Sequence, residues 1–384
     1  MAPFAIGPPR ADSRGSGGRP PGKSSILRFV AFRGRWALVA LLAAVLPAAA
    51  CTSTPGASAT GTGRPAITAT QARQVWDHYV AVDGAQAGKA GDPGLALALE
   101  TGARRAYHAA ADTVLEAQDM SASVIVTPAY RTPTFYLPEQ AGYPHFFVVS
   151  VAQKPTSVPT ITEDGVTIPL SGPELVLFEQ ASAGAPWLLA GWSNLAAGQS
   201  IPKLATDGAG YVPTVSLSDP SLVAQPDDAG PLQAAVVDDG GASAAGQAVA
   251  SGPLTTGLYQ GAVSRADELT PPQGDVYQWE LTGTSYPEFA LRTAAGGALV
   301  FYAMSFSITV AVPDYLSKAD PVHSGPPIQV PEDLRPLLPK GQPAPLVQLS
   351  ANQTLSFAAV DPAAGDAKIQ VIAMGGGLTS ASAS

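Results

Sequence analysis

The residue whose chemistry is plainest is Cys51, the single cysteine in a chain of 384 residues. It follows an apolar run from Trp36 that ends Leu46-Pro47-Ala48-Ala49-Ala50. Before that run lie Arg10, Arg14, Arg19, Lys23, Arg28, Arg33 and Arg35 against one acid, Asp12. Basic, then apolar, then small residues before a cysteine is the layout of a lipoprotein signal peptide. The thiol takes a fatty-acyl lipid such as palmitate, and the cysteine becomes the first residue of the mature chain. The alternative is ordinary secretory cleavage, which Ala48-x-Ala50 also suits. The apolar run is shorter than the roughly 20 residues a spanning helix needs, and Arg33 and Arg35 block its extension.

A second set of residues has the types for binding or acid–base work. Ala72, Val75, Trp76, Tyr79 and Val80 recur at helical spacing, and Asp83, eleven residues after Ala72, returns to the centre of that apolar face while His78 points away. A carboxylate there needs a partner or a pocket. With Tyr79, Tyr107 and Trp192 it makes a candidate ligand pocket in which the acid serves as general base or ligand anchor. The competing reading is that Asp83-Gly84 ends the helix, glycine being the ordinary stop.

The remaining patterns carry less. His78, His108, His145 and His323 are scattered, so a metal site would have to be gathered in space, and none is expected. Gly191-Trp192-Ser193-Asn194-Leu195 begins like a nucleophile elbow but ends in leucine and continues a strand. Gly17 to Ser24 fits the phosphate-loop spacing, yet no strand precedes it, two prolines remove donors, and it lies in the segment to be cleaved. Asp227-Asp228, Asp238-Asp239 and Asp267-Glu268 lack the spacing of a calcium loop. Asn352-Gln353-Thr354 reads as a turn. Arg104-Arg105, beside Tyr107-His108, reads as a pair on a solvated helix face. No cofactor and no catalysis are expected.

Removing residues 1–50 takes away seven of 21 basic and one of 30 acidic residues, leaving 14 against 29. That excess of acid excludes nucleic acid and electrostatic attachment to anionic lipid. With Cys51 lipidated, stability must come from buried apolar area rather than disulfides. Residues 1–29 are long for a signal, and Val30 would begin a compact one, which suggests a start codon assigned too far upstream.

The elements that must position these residues follow in order. Residues 51–65 form a flexible Ser/Thr/Gly/Ala-rich tether. Thr68-Ala69-Thr70-Gln71 is a capping box for the first helix, and a second is expected over Leu95–Gln118 with Tyr107, Ala110, Ala111 and Val114 inward. The period then drops to two: His145–Ala152, Glu174–Gln180 and Pro186–Asn194 read as strands. Lys154–Pro173, with four prolines and Asp164-Gly165, reads as a surface loop. Asp219-Pro220 offers a helix start. Val276–Leu281, Glu288–Thr293 and Ala298–Val312 are strands, the last with Val300, Tyr302, Met304, Phe306, Ile308, Val310 and Val312 on one face and Ser305, Ser307 and Thr309 on the other. Pro345–Ser350, Thr354–Val360 and Lys368–Met374 complete the sheet. The fold class is α+β: two tandem domains, 66–215 and 216–380, each with helices packed on a curved antiparallel sheet.

Ile67-Thr68, Gln71-Ala72-Arg73, Tyr79-Val80, Ile201-Pro202, Asp207-Gly208, Tyr211 and the run Phe289 to Phe301 resemble an uncharacterised family of actinobacterial secreted lipoproteins over most of residues 66–374. The order of helices then sheet in each half is also similar to the cystatin and nuclear-transport-factor-2-like folds, whose sheets enclose a conical pocket. The expectation is a cell-envelope lipoprotein on the extracytoplasmic face of the membrane, held through the lipid on Cys51, with a non-catalytic binding or scaffolding role toward an envelope protein. The alternatives are a secreted protein, and a small-ligand binder or enzyme using the pocket of Tyr79, Asp83, Tyr107 and Trp192.

Overall fold

The computed structural model describes residues 64–87, 94–117, 130, 132–152, 160–163, 166–169, 173–269, 276–311, 328, 330–332, 334–339, 348–365 and 367–384. Cys51, the expected signal over 1–50 and residues 52–63 of the expected tether lie outside them, while Arg64 and Pro65, expected as the tether's end, form a strand paired with Glu139 and Gln140. Among the described residues no helix is long and apolar enough to cross a membrane.

The first half opens with the two-residue strand β1 (Arg64–Pro65), then helices α1 (Ala69–Ala87), α2 (Gly94–Leu97) and α3 (Gly102–Ala117). Strands β2 (Thr134–Tyr136), β3 (Pro138–Gln140), β4 (His145–Ala152), β5 (Thr160–Glu163), β6 (Val166–Pro169), β7 (Pro173–Gln180), β8 (Leu188–Leu195) and β9 (Val212–Pro213) follow. The capping box forms as expected: Thr68 N donates to Gln71 Oε1 at 3.0 Å and Gln71 N to Thr68 Oγ1 at 3.3 Å. Three expectations change. First, α1 does not stop at Asp83-Gly84 but runs on to Ala87, which places Asp83 within the helix. Second, the single helix expected over 95–118 is two, because the chain between them is used in pairing: Thr101 N donates to Leu189 O and Leu189 N to Leu99 O, both at 2.9 Å. Third, the expected loop over 154–173 holds the hairpin β5–β6, with Thr160 opposite Pro169. Its prolines fall at the strand ends, where a missing donor does little harm.

The second half has α4 (Ala229–Asp239), α5 (Ala245–Ala248) and α6 (Thr256–Leu269), then β10 (Val276–Gly283), β11 (Phe289–Arg292), β12 (Ala298–Ala311), β13 (Gln348–Asp361) and β14 (Gln370–Ala383). Asp219-Pro220 does not open a helix. Asp219 instead accepts from Ser221 N and Oγ and pairs with Arg292 at 2.5 Å, and α4 ends at Gly240 in the left-handed conformation. Asn352-Gln353-Thr354 is not a turn either. The strands expected on either side of it are one, β13, with a register shift against β14 at Asn352/Gln353.

Each half thus runs from helices into an antiparallel meander, but the meanders share one sheet in the order β10-β12-β13-β14-β8-β7-β4-β2, with β11 added on β12. The boundary expected near 215 therefore separates no sheet, and Gly61–Ser384 forms one compact unit. The junction is narrow: β14 meets β8 through Ala373 opposite Leu195 and Met374 opposite Asn194. Beyond it Gly375 lies against the Trp192 carbonyl oxygen, so closely that a Cβ would overlap it, and β14 continues with β13 as its strand partner among the described residues. Around this seam the core is mixed, combining Phe146, Leu175 and Leu195 with Phe289, Leu299 and Ile372. Phe146 and Phe289 stack at 4.4 Å. The face expected to be apolar on β12 is buried at Val300, Tyr302, Met304 and Phe306, and the opposite face is only partly covered at Ser305, Ser307 and Thr309.

Candidate functional site

The inward stripe of α1 brings Trp76 and Tyr79 against β7 and β8, and Asp83 follows one turn after Tyr79. Facing it, Arg104, His108 and Asp112 succeed one another at intervals of four on one side of α3, and Glu100, four residues before Arg104 in the segment that pairs with Leu189, continues the same line. Glu100 is the centre. Its Oε1 accepts from Arg104 Nε at 2.9 Å and from the Tyr79 hydroxyl at 3.1 Å, and its Oε2 lies 2.8 Å from His108 Nδ1. Arg104 Nη1 donates to the Tyr107 hydroxyl at 3.1 Å, and the guanidinium lies 5.1 Å from the Tyr107 ring centre and 5.5 Å from that of Trp192. Trp192 in turn packs with Trp76, Tyr79 and Tyr130.

The side chain of Glu100 is fully buried, and those of Arg104 and His108 are 18% and 17% exposed. Burial alone would raise the Glu100 carboxyl, but the His108 hydrogen bond and the Arg104 charge outweigh it and hold it below the ordinary value. At Asp83 burial wins: its carboxyl is raised in spite of Arg104 and His108, and the Glu100 charge adds to the rise. Burial also raises Tyr79 and Tyr107.

The structure thus gathers Tyr79, Asp83, Tyr107 and Trp192 about Arg104. Sequence reasoning had missed Glu100 and His108 and placed Arg104 on a solvated face; the missed signal was the alternation of acid, base, histidine and acid every fourth residue. A carboxylate against an imidazole is an arrangement that orients a general base. Here, though, both Glu100 oxygens are engaged, and Arg104 is spent on Glu100 and Tyr107. Among the described residues no group of three or more histidine, cysteine or acidic side chains is arranged to hold a metal.

Two concavities stand out among the described residues. A cavity of about 30 Å³ lies beside Trp192, lined by Gly102, Ala103, Ser193, Tyr286 and Ser356 among others; it has room for about one water. The other is an open groove of about 690 Å³ between α4 and β10, lined by Ala234, Ala235, Asp238, Tyr277, Gln278, Trp279, Glu280 and Leu281, with Ser307 and Thr309 of β12. Trp279 is held there by a 3.3 Å hydrogen bond from its indole N–H to Val237 O.

Comparison with protein families finds one whose model spans nearly all of the folded chain. Residues 63–383 match the family described as Domain of unknown function (DUF8094). The chain belongs to that family. No curated protein and no solved structure matches it. The DUF8094 match begins at residue 63 and takes in both halves. It therefore covers the Glu100 cluster and the groove alike.

Proposed function

We propose that this DUF8094 protein is a cell-envelope lipoprotein, held at the extracytoplasmic face of the membrane by a lipid on Cys51, that binds another envelope component and performs no catalysis there. The observation that carries the binding role is the contrast between the two regions. The side chains of Tyr79, Glu100, Arg104, Tyr107 and His108 bond one another, leaving Asp112 Oδ2 at the cluster's end without a partner, whereas the groove beside β10 is open and large enough for a ligand segment. The anchoring rests on the order of basic segment, apolar run and Cys51. The finer reading of each half as a cystatin-like or nuclear-transport-factor-2-like unit rests on helices followed by a four-stranded meander occurring twice.

Cross-linking in intact cells followed by purification from the native membrane tests the role. The expected result is one envelope component recovered in fixed proportion, equally with wild type and with His108→Ala. Recovery of no partner, together with a catalytic turnover that His108→Ala abolishes, would replace this reading with that of an enzyme working at the Glu100 cluster.

A further inference from the structure

β10 is the outermost strand of the nine-stranded sheet, and among the described residues β12 is its one strand neighbour. The pairing is unbroken from Val276 opposite Ala311 to Gly283 opposite Met304. An edge strand leaves about half of its N–H and C=O groups pointing outward, and proteins usually guard such edges with lysine, proline or a bulge. The sequence Val-Tyr-Gln-Trp-Glu-Leu-Thr-Gly has no lysine or proline, and its register has no bulge. Among the described residues Val276 is one of the two most exposed large apolar side chains, at 40%.

The groove runs along this edge and gives it side-chain chemistry. Tyr277 and Trp279 stand on the side of α4, their rings 6.0 Å apart, while Gln278 and Glu280 alternate to the other side next to Thr309 and Ser307. Its charged lining residues are Asp238 and Glu280, both acids. From this we infer that the edge of β10 over Gln278–Thr282 accepts an extended, basic segment of a partner protein as an added strand. The added main chain pairs with the outward amides and carbonyls, alternate apolar side chains lie on Tyr277 and Trp279, the lysines or arginines between them meet Glu280 on the opposite face, and a basic residue at the end of the added strand on the α4 side meets Asp238. A second copy of this chain fits less well, because pairing β10 with itself would bring two acidic surfaces together. The inference rests on the binding role proposed above and names its partner's chemistry.

The probe is a fluorescein-labelled octapeptide alternating valine and lysine, with a valine–glutamate octapeptide as control, titrated into the full-length protein at 50 mM salt. The expected result is saturable binding of the lysine peptide alone, weakened at least tenfold by Asp238→Lys with Glu280→Lys, and slowed amide exchange over Gln278–Thr282 in the complex. An unchanged melting temperature of the double variant shows that the fold persists. Three results would overturn the inference: no binding; equal binding by the double variant, which would mean attraction by net charge alone; or peptide-free self-association that protects the same amides. If the double variant still retains the cross-linked envelope partner at the wild-type level, the edge is not the binding surface, although the binding role stands. If wild type recovers no partner either, the binding role itself fails.

Discussion

Arg104 Nε lies 2.9 Å from Glu100 Oε1, four residues back along the chain and just ahead of α3, with the Glu100 side chain fully out of water. This pair ties α3 to α1 through the Tyr79 hydroxyl and to β8 through the Trp192 ring. Removing one member of such a pair strands the other charge, whereas removing both does not. Glu100→Ala should therefore cost about 3–5 kcal/mol in urea unfolding. Adding Arg104→Met to it should recover part of that loss, since contacting residues do not behave additively. Losses that simply add would show that the two side chains act apart.

Asp83 gives a pH dependence of definite sign. Its carboxyl is raised in the folded protein, mainly by burial, so between the unfolded value near 3.8 and the higher folded one the native state holds more protons. Stability therefore falls as pH rises through that window. Asp83→Asn should flatten this part of the profile and leave the protein at least as stable as wild type at pH 8. A variant clearly less stable at pH 8 would mean that Arg104 and His108 hold the carboxylate more strongly than burial opposes it.

Asp219 has the opposite sign. Hydrogen bonds from Ser221 and Arg292 lower its carboxyl to about 2, so it adds stability above pH 3.8 that is lost as pH falls toward 2. Asp219→Asn should destabilise the protein by about 1 kcal/mol at pH 7 and by nearly nothing at pH 2. Equal losses at the two pH values would assign the effect to packing rather than charge.

At the seam between the halves, Gly375→Ala should cost about 3 kcal/mol or more, because the new methyl would strike the backbone oxygen of Trp192. Gly377→Ala is the control. Its Cβ would sit 3.8 Å from that of Tyr107, an ordinary contact, so its cost should stay under about 1 kcal/mol. Similar melting temperatures for the two variants would contradict the described junction.

Features decided by near neighbours in sequence were legible beforehand. The Thr68–Gln71 box and the alternation of Val300 to Phe306 with Ser305 to Thr309 depend on a few adjacent residues, and both are present. Features decided at long range were not. That α1 continues past Gly84 to Ala87 runs against the local stop signal. The single sheet depends on two residue pairs between β14 and β8, separated by nearly the whole second half of the chain. Asp83, Tyr79 and Tyr107 were singled out by type and helical phase, and Trp192 by type alone. Arg104, which they surround, looked solvated because nothing local says that α1 and Trp192 cover it. The hairpin β5–β6 was hidden by prolines that turn out to flank its strands.

The anchor at Cys51 is the claim on which the proposed setting depends, since a binding face of this kind matters where its partners are. Metabolic labelling with an alkyne fatty acid, applied to wild type and Cys51→Ser in the native host, tests it most directly. Wild type should carry the label and stay with the membrane fraction, and Cys51→Ser should carry none and lose membrane retention while keeping the wild-type melting temperature. Label on the serine variant, or unlabelled wild type released to the medium, would contradict the assignment and leave an unanchored secreted protein in its place.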